Sequence, residues 1–227
     1  NVWKTTNAGT TWTPIFDEYP VASIGDIELA PSNPNIIYVG TGEPNNRQSS
    51  SFGGGVFKST DAGATWQFMG LPDSHHIARI VIHPKNPDIV YVAAIGHLFS
   101  RNEERGVFRT MDGGKSWKKV LYVNDGVGAI DLVINRKTPT VLYAAMYEKD
   151  RRPWQIVESG PETGIYKTEN GARVGDLFMS LIHTAELSGA NPFDYLTQLQ
   201  RHADHLGRDP AAWMPWNYRE TLARAGV

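Results

Sequence analysis

The chain contains no cysteine in its 227 residues, so disulfides and thiolate metal sites are excluded and the redox compartment cannot be read. It has no apolar run of about eighteen residues, the length a membrane-spanning helix needs. It also lacks charge of either sign in excess. The formal net charge is −2, with 17 Lys+Arg against 18 Asp+Glu in residues 1–172 and 5 against 6 in residues 173–227. Phosphate-backbone binding leaves a basic excess, so no nucleic-acid partner is expected. The Gly-rich stretch Asn45 to Gly55 carries no GxxxxGK[ST] pattern, which rejects a phosphate loop and leaves a long, mobile inter-strand loop. No charged-then-apolar leader follows Asn1.

What is present is a repeat. Three octets align, beginning at Thr5, Ser59 and Thr110, and each reads hydroxyl, any, Asp or Asn, small, Gly, any, hydroxyl, Trp. Their key positions are Asn7, Gly9 and Trp12; Asp61, Gly63 and Trp66; Asp112, Gly114 and Trp117. A second block keeps step with them: Ile27 to Gly40, Ile80 to Ala93 and Leu132 to Ala145 each pair two β-rich runs across a Pro-containing turn. Tyr38, Tyr91 and Tyr143 mark the same place in it and read as strand core. Two motifs holding one period near fifty residues define a repeat architecture.

Each period holds about four short strand candidates. In the second these are Ile77–Ile82, Asp88–Ala94, Gly106–Thr110 and Trp117–Val120, rich in Val, Ile and Tyr and separated by Pro, Asn and Gly turns. Four strands per fifty residues is the size of a propeller blade. The octet supplies the turn. Its Asp accepts bonds from turn N–H groups, its Gly takes the positive φ, and Trp66 or Trp117 buries a large ring as the next strand begins.

On these octets the chain resembles the Asp-box (BNR) propellers from residue 1 to about 170. Those include sialidases, glycoside hydrolase family 74 xyloglucanases, sortilin-type receptor domains and photosystem assembly factors. The stretch Trp154 to Gly164 and the run Gly40 to Glu43 are most similar to large bacterial glycosyl hydrolase, sortilin-like proteins. The resemblance implies an Asp box that is structural, a parent that is secreted or periplasmic, and a glycan or protein as its ligand. Asn7 departs from the acidic position but keeps an acceptor oxygen.

A glycosidase needs two carboxylates flanking the scissile bond. The candidates are Asp26, Glu28, Glu43, Asp131 and Glu148, with Arg47, Arg79 and Arg101. As catalytic pairs, their spacing singles none out, and they read as solvated strand faces and loop charges. No catalytic residue is assigned. His75, His76, His83 and His97 fall within one blade but lack metal-ligand spacing and read as turn and strand histidines. No metal and no cofactor is expected.

A fourth octet begins at Thr168 and fails, with Ala172 where Gly belongs and Gly175 where Trp belongs. From Arg173 the period becomes helical, with Val174, Leu177, Phe178, Leu181, Ile182 and Ala185 on one stripe. Asn191-Pro192 opens a second helix with Phe193, Leu196, Leu199, Ala203 and Leu206 inward, Asp209-Pro210 starts a short turn, and Pro215 to Ala225 makes a last helix. Residues from about 166 to 227 are similar to the C-terminal element of insertion sequence 66 family transposases. That family's catalytic carboxylates lie upstream of this element, so Asp176, Glu186 and Asp194 inherit no role. The fold class expected is mainly β with an α-helical tail: an incomplete propeller of about three four-stranded blades (1–170) followed by a small helical element (171–227).

The octet phase has the chain starting mid-blade, which leaves apolar blade faces open and predicts an aggregation-prone arc that self-associates through its blade edges. Three readings stay open. One is a non-catalytic propeller fragment of a glycan- or protein-binding parent. The second is a sialidase- or xyloglucanase-like glycosidase domain, and the third a transposition-related protein, which neutral charge disfavours.

Overall fold

A computed structural model describes residues 1–45, 49–152, 154–168, 185, 188–202 and 209–225. The chain divides into two compact units, Asn1–Ala172 and Arg173–Val227. It is mainly β, and no helix among the described residues is long and apolar enough to cross a membrane.

In the first unit, β1 (Trp3–Lys4) and β2 (Thr13–Pro14) form a hairpin around the first octet. The first full blade is β3 (Ile24–Ala30), β4 (Asn33–Thr41), β5 (Val56–Ser59) and β6 (Gln67–Phe68). The second is β7 (Ile77–Ile82), β8 (Val90–Ala94), β9 (Gly106–Thr110) and β10 (Lys118–Leu121). The third begins with β11 (Val127–Ile134) and β12 (Leu142–Glu148), is interrupted by the hairpin β13 (Asp150–Arg152) and β14 (Gln155–Val157), and resumes with β15 (Gly164–Thr168). Each blade is antiparallel, with strands paired in chain order. Of the strands expected in the second period, two agree residue for residue, one starts two residues later at Val90, and the last shifts by one to Lys118–Leu121.

Blades pack face to face through period-2 side chains. Ala30, Tyr38 and Val56 of the first blade meet Ile80, Ile82, Val90 and Val92 of the second. Val81, Tyr91 and Val107 of the second meet Leu132, Leu142, Ala144 and Met146 of the third. Tyr38 and Tyr91 are therefore core, as expected, but Tyr143 is 40% exposed. It pairs with Val133, as Tyr91 pairs with Val81, and this face of the third blade carries Val133 and Ile165 uncovered too. The reason is positional: Tyr38 and Tyr91 each have a following blade against them, and among the described residues Tyr143 has none. At the other end Ile27 and Leu29 of β3 are also partly exposed.

The three Asp boxes share one hydrogen-bond set. Asp61 Oδ1 accepts from Thr65 N at 2.8 Å and Oδ2 from the Thr65 hydroxyl at 2.6 Å, while the Ser59 hydroxyl accepts from Gly63 N at 2.8 Å. Asp112 repeats this with Ser116 and Thr110. In the first box Asn7 Oδ1 still accepts from Thr11 N, but its amide nitrogen donates to the Thr11 hydroxyl, which reverses the second bond. Gly9, Gly63 and Gly114 take the positive φ expected of them, and so does the residue before each: Ala8, Ala62 and Gly113.

The octet also ties blade to blade. Trp66 Nε1 donates to Ile15 O at 2.8 Å and Trp117 Nε1 to Met69 O at 2.6 Å, each in the preceding blade. Lys4 and Lys58, the residues just before their octets, donate forward to Ala62 O and Gly113 O of the next box. Trp66 is buried, whereas Trp12 is 55% exposed and its indole bonds Gly9 O of its own turn.

The second unit holds α1 (Pro192–Arg201), a 3₁₀ turn at Pro210–Trp213 and α2 (Tyr218–Ala225). Asn191 caps α1, accepting from Phe193 N and Asp194 N, with Pro192 in the first turn. Tyr195, Trp213 and Tyr218 form its core with Ala185 and Ala190. The expectation that Phe193 points inward is corrected, since it is 79% exposed. Tyr195 sets the rotation of α1 instead, donating its hydroxyl to Trp213 O at 2.9 Å with its ring 5.0 Å from Tyr218. The helix expected over Val174 to Ala185, along with Ala203 and Leu206, lies outside the described residues apart from Ala185.

Candidate functional site

The two ends of the blade sheets are built differently. One end carries the Asp boxes beside the turns that join first and second strands, as bonds from Ala62 N to Asn35 O and Gly113 N to Asp88 O record. The opposite end gathers the β4–β5 loop, the β8–β9 loop, the β6–β7 connection and the β13–β14 insertion. These segments do not repeat from blade to blade, and loops of unequal length on a regular scaffold are where binding groups concentrate.

Arg105 holds this loop face together. Its side chain is fully buried, and its guanidinium donates to Gly126 O and Lys149 O at 2.7 Å, to His97 O at 2.7 Å and to Ser100 O at 3.3 Å. Burial pushes its pKa down, and the carbonyl dipoles around it replace lost water. Lys149 is also fully buried and donates to Pro44 O at 3.1 Å, tying the third blade to the β4–β5 loop of the first. Burial brings its pKa down to about 8. The expected mobile loop is thus anchored at both ends: Glu43 N donates to Ser51 O, Gly53 N to His75 O and Gly54 N to the Thr41 hydroxyl. Gly42, at φ 97°, permits the close approach, because a Cβ there would lie 1.9 Å from His75 O.

His75 and His97 come from different loops and stack, centroids 3.7 Å apart and planes 18° off parallel, with Phe52 stacked on His75. The Asp73 carboxylate joins them, one ligand atom from each of the three residues lying within 4.8 Å of the other two. Near-parallel rings at that spacing do not aim both lone pairs at one point, so the arrangement does not fit a shared ion. His83 is apart from them, its Nδ1 accepting from Lys85 N and Asn86 N in a turn.

Three of the carboxylate and arginine candidates meet. Asp26, Arg79 and Asp131 each follow a β-bulge at the same place in the first strand of their blades. Arg79 Nε donates to Asp131 Oδ1 at 2.7 Å, and its Nη1 lies 3.6 Å from Asp26 Oδ1. Asp26 Oδ2 also accepts from Ile80 N at 2.7 Å. Burial raises the pKa of Asp26 against the opposing pull of that N–H and of Arg79. Glu28 lies beside them in an open cleft of about 230 Å³ with Arg136, its pKa raised by burial and by Asp26. Glu148 and Arg101 pair on the loop face at 3.4 Å, with Asp125 3.0 Å from the same guanidinium. Glu43 accepts from Ser51 N, and Arg47 lies outside the described residues.

The sequence carried a signal for this ladder. Positions 26, 79 and 131 are spaced like Tyr38, Tyr91 and Tyr143, so the repeat itself aligns them. The basic residue before each octet was equally periodic: Lys4, Lys58, Arg109 and Lys167. Arg105 and His76 had no such mark, because they belong to single loops.

The family model described as Sortilin, neurotensin receptor 3 (Sortilin-Vps10) matches residues 1–160. Xyloglucanase Xgh74A of Acetivibrio thermocellus is 24% identical over 184 residues, covering 66% of this chain and 21% of the relative. A xyloglucanase of Hypocrea jecorina is 27% identical over 128 residues, covering 50% and 14%. The chain thus spans about a fifth or less of the length of these relatives. Among solved structures, the family 74 xyloglucanase from Xanthomonas campestris aligns with a TM-score of 0.51 at 13% identity, over 75% of this chain and 26% of that one. The family 74 enzyme from Niastella koreensis aligns at 0.50 and 20%, over 73% and 24%. At these identities the structural likeness establishes the propeller fold.

Proposed function

The chain belongs to the Sortilin-Vps10 family, and from that premise we propose that its first unit is a non-catalytic, ligand-binding portion of a propeller whose loop face receives a glycan or protein. The observation that carries this is the sharing of Arg79 by Asp26 and Asp131. A glycosidase needs one carboxyl free to give a proton and another free to attack or to activate water. Here the two equivalent aspartates are held by a guanidinium and by backbone N–H groups of Ile80 and Leu132. The test is calorimetric titration with xyloglucan oligosaccharides and sialosides, run beside a reducing-end assay. Binding without turnover is expected, and turnover contradicts the reading.

One observation favours the alternative glycosidase reading. Glu28 is a carboxyl with a raised pKa beside a second carboxyl in a cleft, which is the environment of a general acid. On that reading Glu28→Gln abolishes hydrolysis of xyloglucan while the fold is retained.

For the second unit we propose a non-catalytic element of the insertion sequence 66 transposase type, joined to the propeller near Tyr166 to Gly171, where the sequence fits both. Single long reads across the junction in genomic DNA test this, and two separate loci would refute one gene. The exposed Val133, Tyr143 and Ile165 support self-association of the isolated chain. A monodisperse monomer at high concentration in sedimentation would count against that.

A further inference from the structure

Three segments of the loop face each bring one ring to a single stack. Phe52 comes from the β4–β5 loop, His75 from the β6–β7 connection and His97 from the β8–β9 loop. The Phe52 and His75 centroids lie 5.3 Å apart with planes 28° off parallel, and those of His75 and His97 3.7 Å apart at 18°. Backbone bonds follow the same path. Gly53 N donates to His75 O at 2.7 Å, and His97 Nε2 donates to Asp73 O at 3.1 Å. The connection in the middle holds a costly shape, since Leu71 and His75, neither a glycine, take φ of 57° and 52°. Such backbone persists only where its surroundings hold it.

Histidine gains its charge between about pH 8 and 5, and imidazoles this close titrate as a pair. One proton suits the stack. An imidazolium against a phenyl face and beside a carboxylate is stabilised by both, and Phe52 and Asp73 supply them. A second proton sets two like charges across 3.7 Å, with the Asp73 carboxylate alone between them. The other charged groups nearby do not make up the difference. In the β4–β5 loop, the Glu43 carboxylate accepts from Ser51 N. Lys149, between β12 and β13, is a further cation. In the β8–β9 loop, Arg105 sets its guanidinium on His97 O, and Arg101 is held by Asp125 and Glu148. His76, its ring 6.3 Å from that of His75, can only add positive charge. Burial pushes the His75 pKa down, His97 adds to this, and Asp73 opposes it.

We propose that the Phe52–His75–His97 stack is an acid-released clasp on the loop face. It stays closed while the two imidazoles share at most one proton. The second proton parts the β8–β9 loop from the β6–β7 connection, which then relaxes from its strained φ values and loosens the β4–β5 loop bonded to His75 O. The inference goes beyond the binding reading above and holds with or without a glycan ligand.

The test is hydrogen–deuterium exchange of the full chain at about pH 7.5 and about pH 5, expressed as protection factors so that the intrinsic effect of pH on exchange cancels. Protection at residues 73–76 and 95–99 is expected to fall about tenfold at the lower pH, with residues 59–66 and 110–117 unchanged. His97→Phe keeps a ring against His75 and removes one of the two charges, so its protection should be the same at both pH values. Asp73→Asn changes an exposed side chain and removes the compensating carboxylate, so opening should begin at higher pH than in the wild type. Equal protection at both pH values in the wild type overturns the proposal. An acid loss in His97→Phe as large as in the wild type also overturns it, by moving the sensor to His76. So does an Asp73→Asn midpoint that stays in place or falls, or a loss that spreads to the Asp-box turns and marks global unfolding.

Discussion

The Asp-box end and the loop end of the same blades solve opposite problems. At the Asp-box end three turns repeat one hydrogen-bond set and clip each blade to its neighbour through Trp66, Trp117, Lys4 and Lys58. At the loop end almost nothing repeats, and order comes from single buried cations reaching carbonyls on several loops. A repeated device holds the sheets in place whatever the ligand. A device used once is free to specify one surface. The structural role is therefore read from the periodic residues, and the functional one from those that break the period.

Substitutions at each end sharpen this contrast. The largest effect is expected from Arg105→Met, which leaves four buried carbonyl contacts unmade and should cost about 3–5 kcal/mol in denaturant unfolding. A cost near zero would mean the loop face is not organised by this residue. At the Asp-box end, Trp66→Ala should cost about 3 kcal/mol, and Trp12→Ala, whose ring is exposed, within about 0.5 kcal/mol. Equal costs would break the claim that the octet tryptophan acts between blades. Arg79→Met, which frees two partly exposed aspartates, should cost about 1 kcal/mol.

Acid separates the two ends by pH. The folded pKa of His76 is depressed to about 4 from an ordinary 6.5. The unfolded chain therefore binds the extra proton first, and stability falls as pH drops from 6.5 toward 4. Asp61 is held down to about 2 by the Thr65 hydroxyl first, and Asp112 is lowered by the Ser116 hydroxyl. Their contribution is present above the ordinary carboxylate pKa of 3.8 and is lost below it. Melting temperature against pH should thus decline in two stages, and His76→Phe should shrink the upper one, leaving the part that belongs to His75, whose pKa burial also lowers. Lys149, lowered to about 8, gives a rise in stability between pH 8 and its ordinary 10.5.

The same contrast explains what was legible in the sequence. Asp61, Gly63, Trp66 and their copies announced blades, turns and even strand limits, because hydrogen bonding within eight residues fixes them. The inward reading of Tyr143 failed because burial depends on a neighbouring blade, which local pattern does not encode. Phe193 failed likewise, since Trp213 and Tyr218 decide which face of α1 turns in. The ladder of Asp26, Arg79 and Asp131 was available in the period. The stacking of His75 on His97 was not, because two loops of unrelated sequence meet only after the sheets have formed.

The central claim is that ligand recognition belongs to the loop end. Hydrogen–deuterium exchange of the full chain, with and without a xyloglucan oligosaccharide, tests it most directly. The account predicts slowed exchange at residues 42–45, 49–55, 73–76 and 95–105, with residues 59–66 and 110–117 unchanged. Protection confined to the Asp-box turns would contradict it.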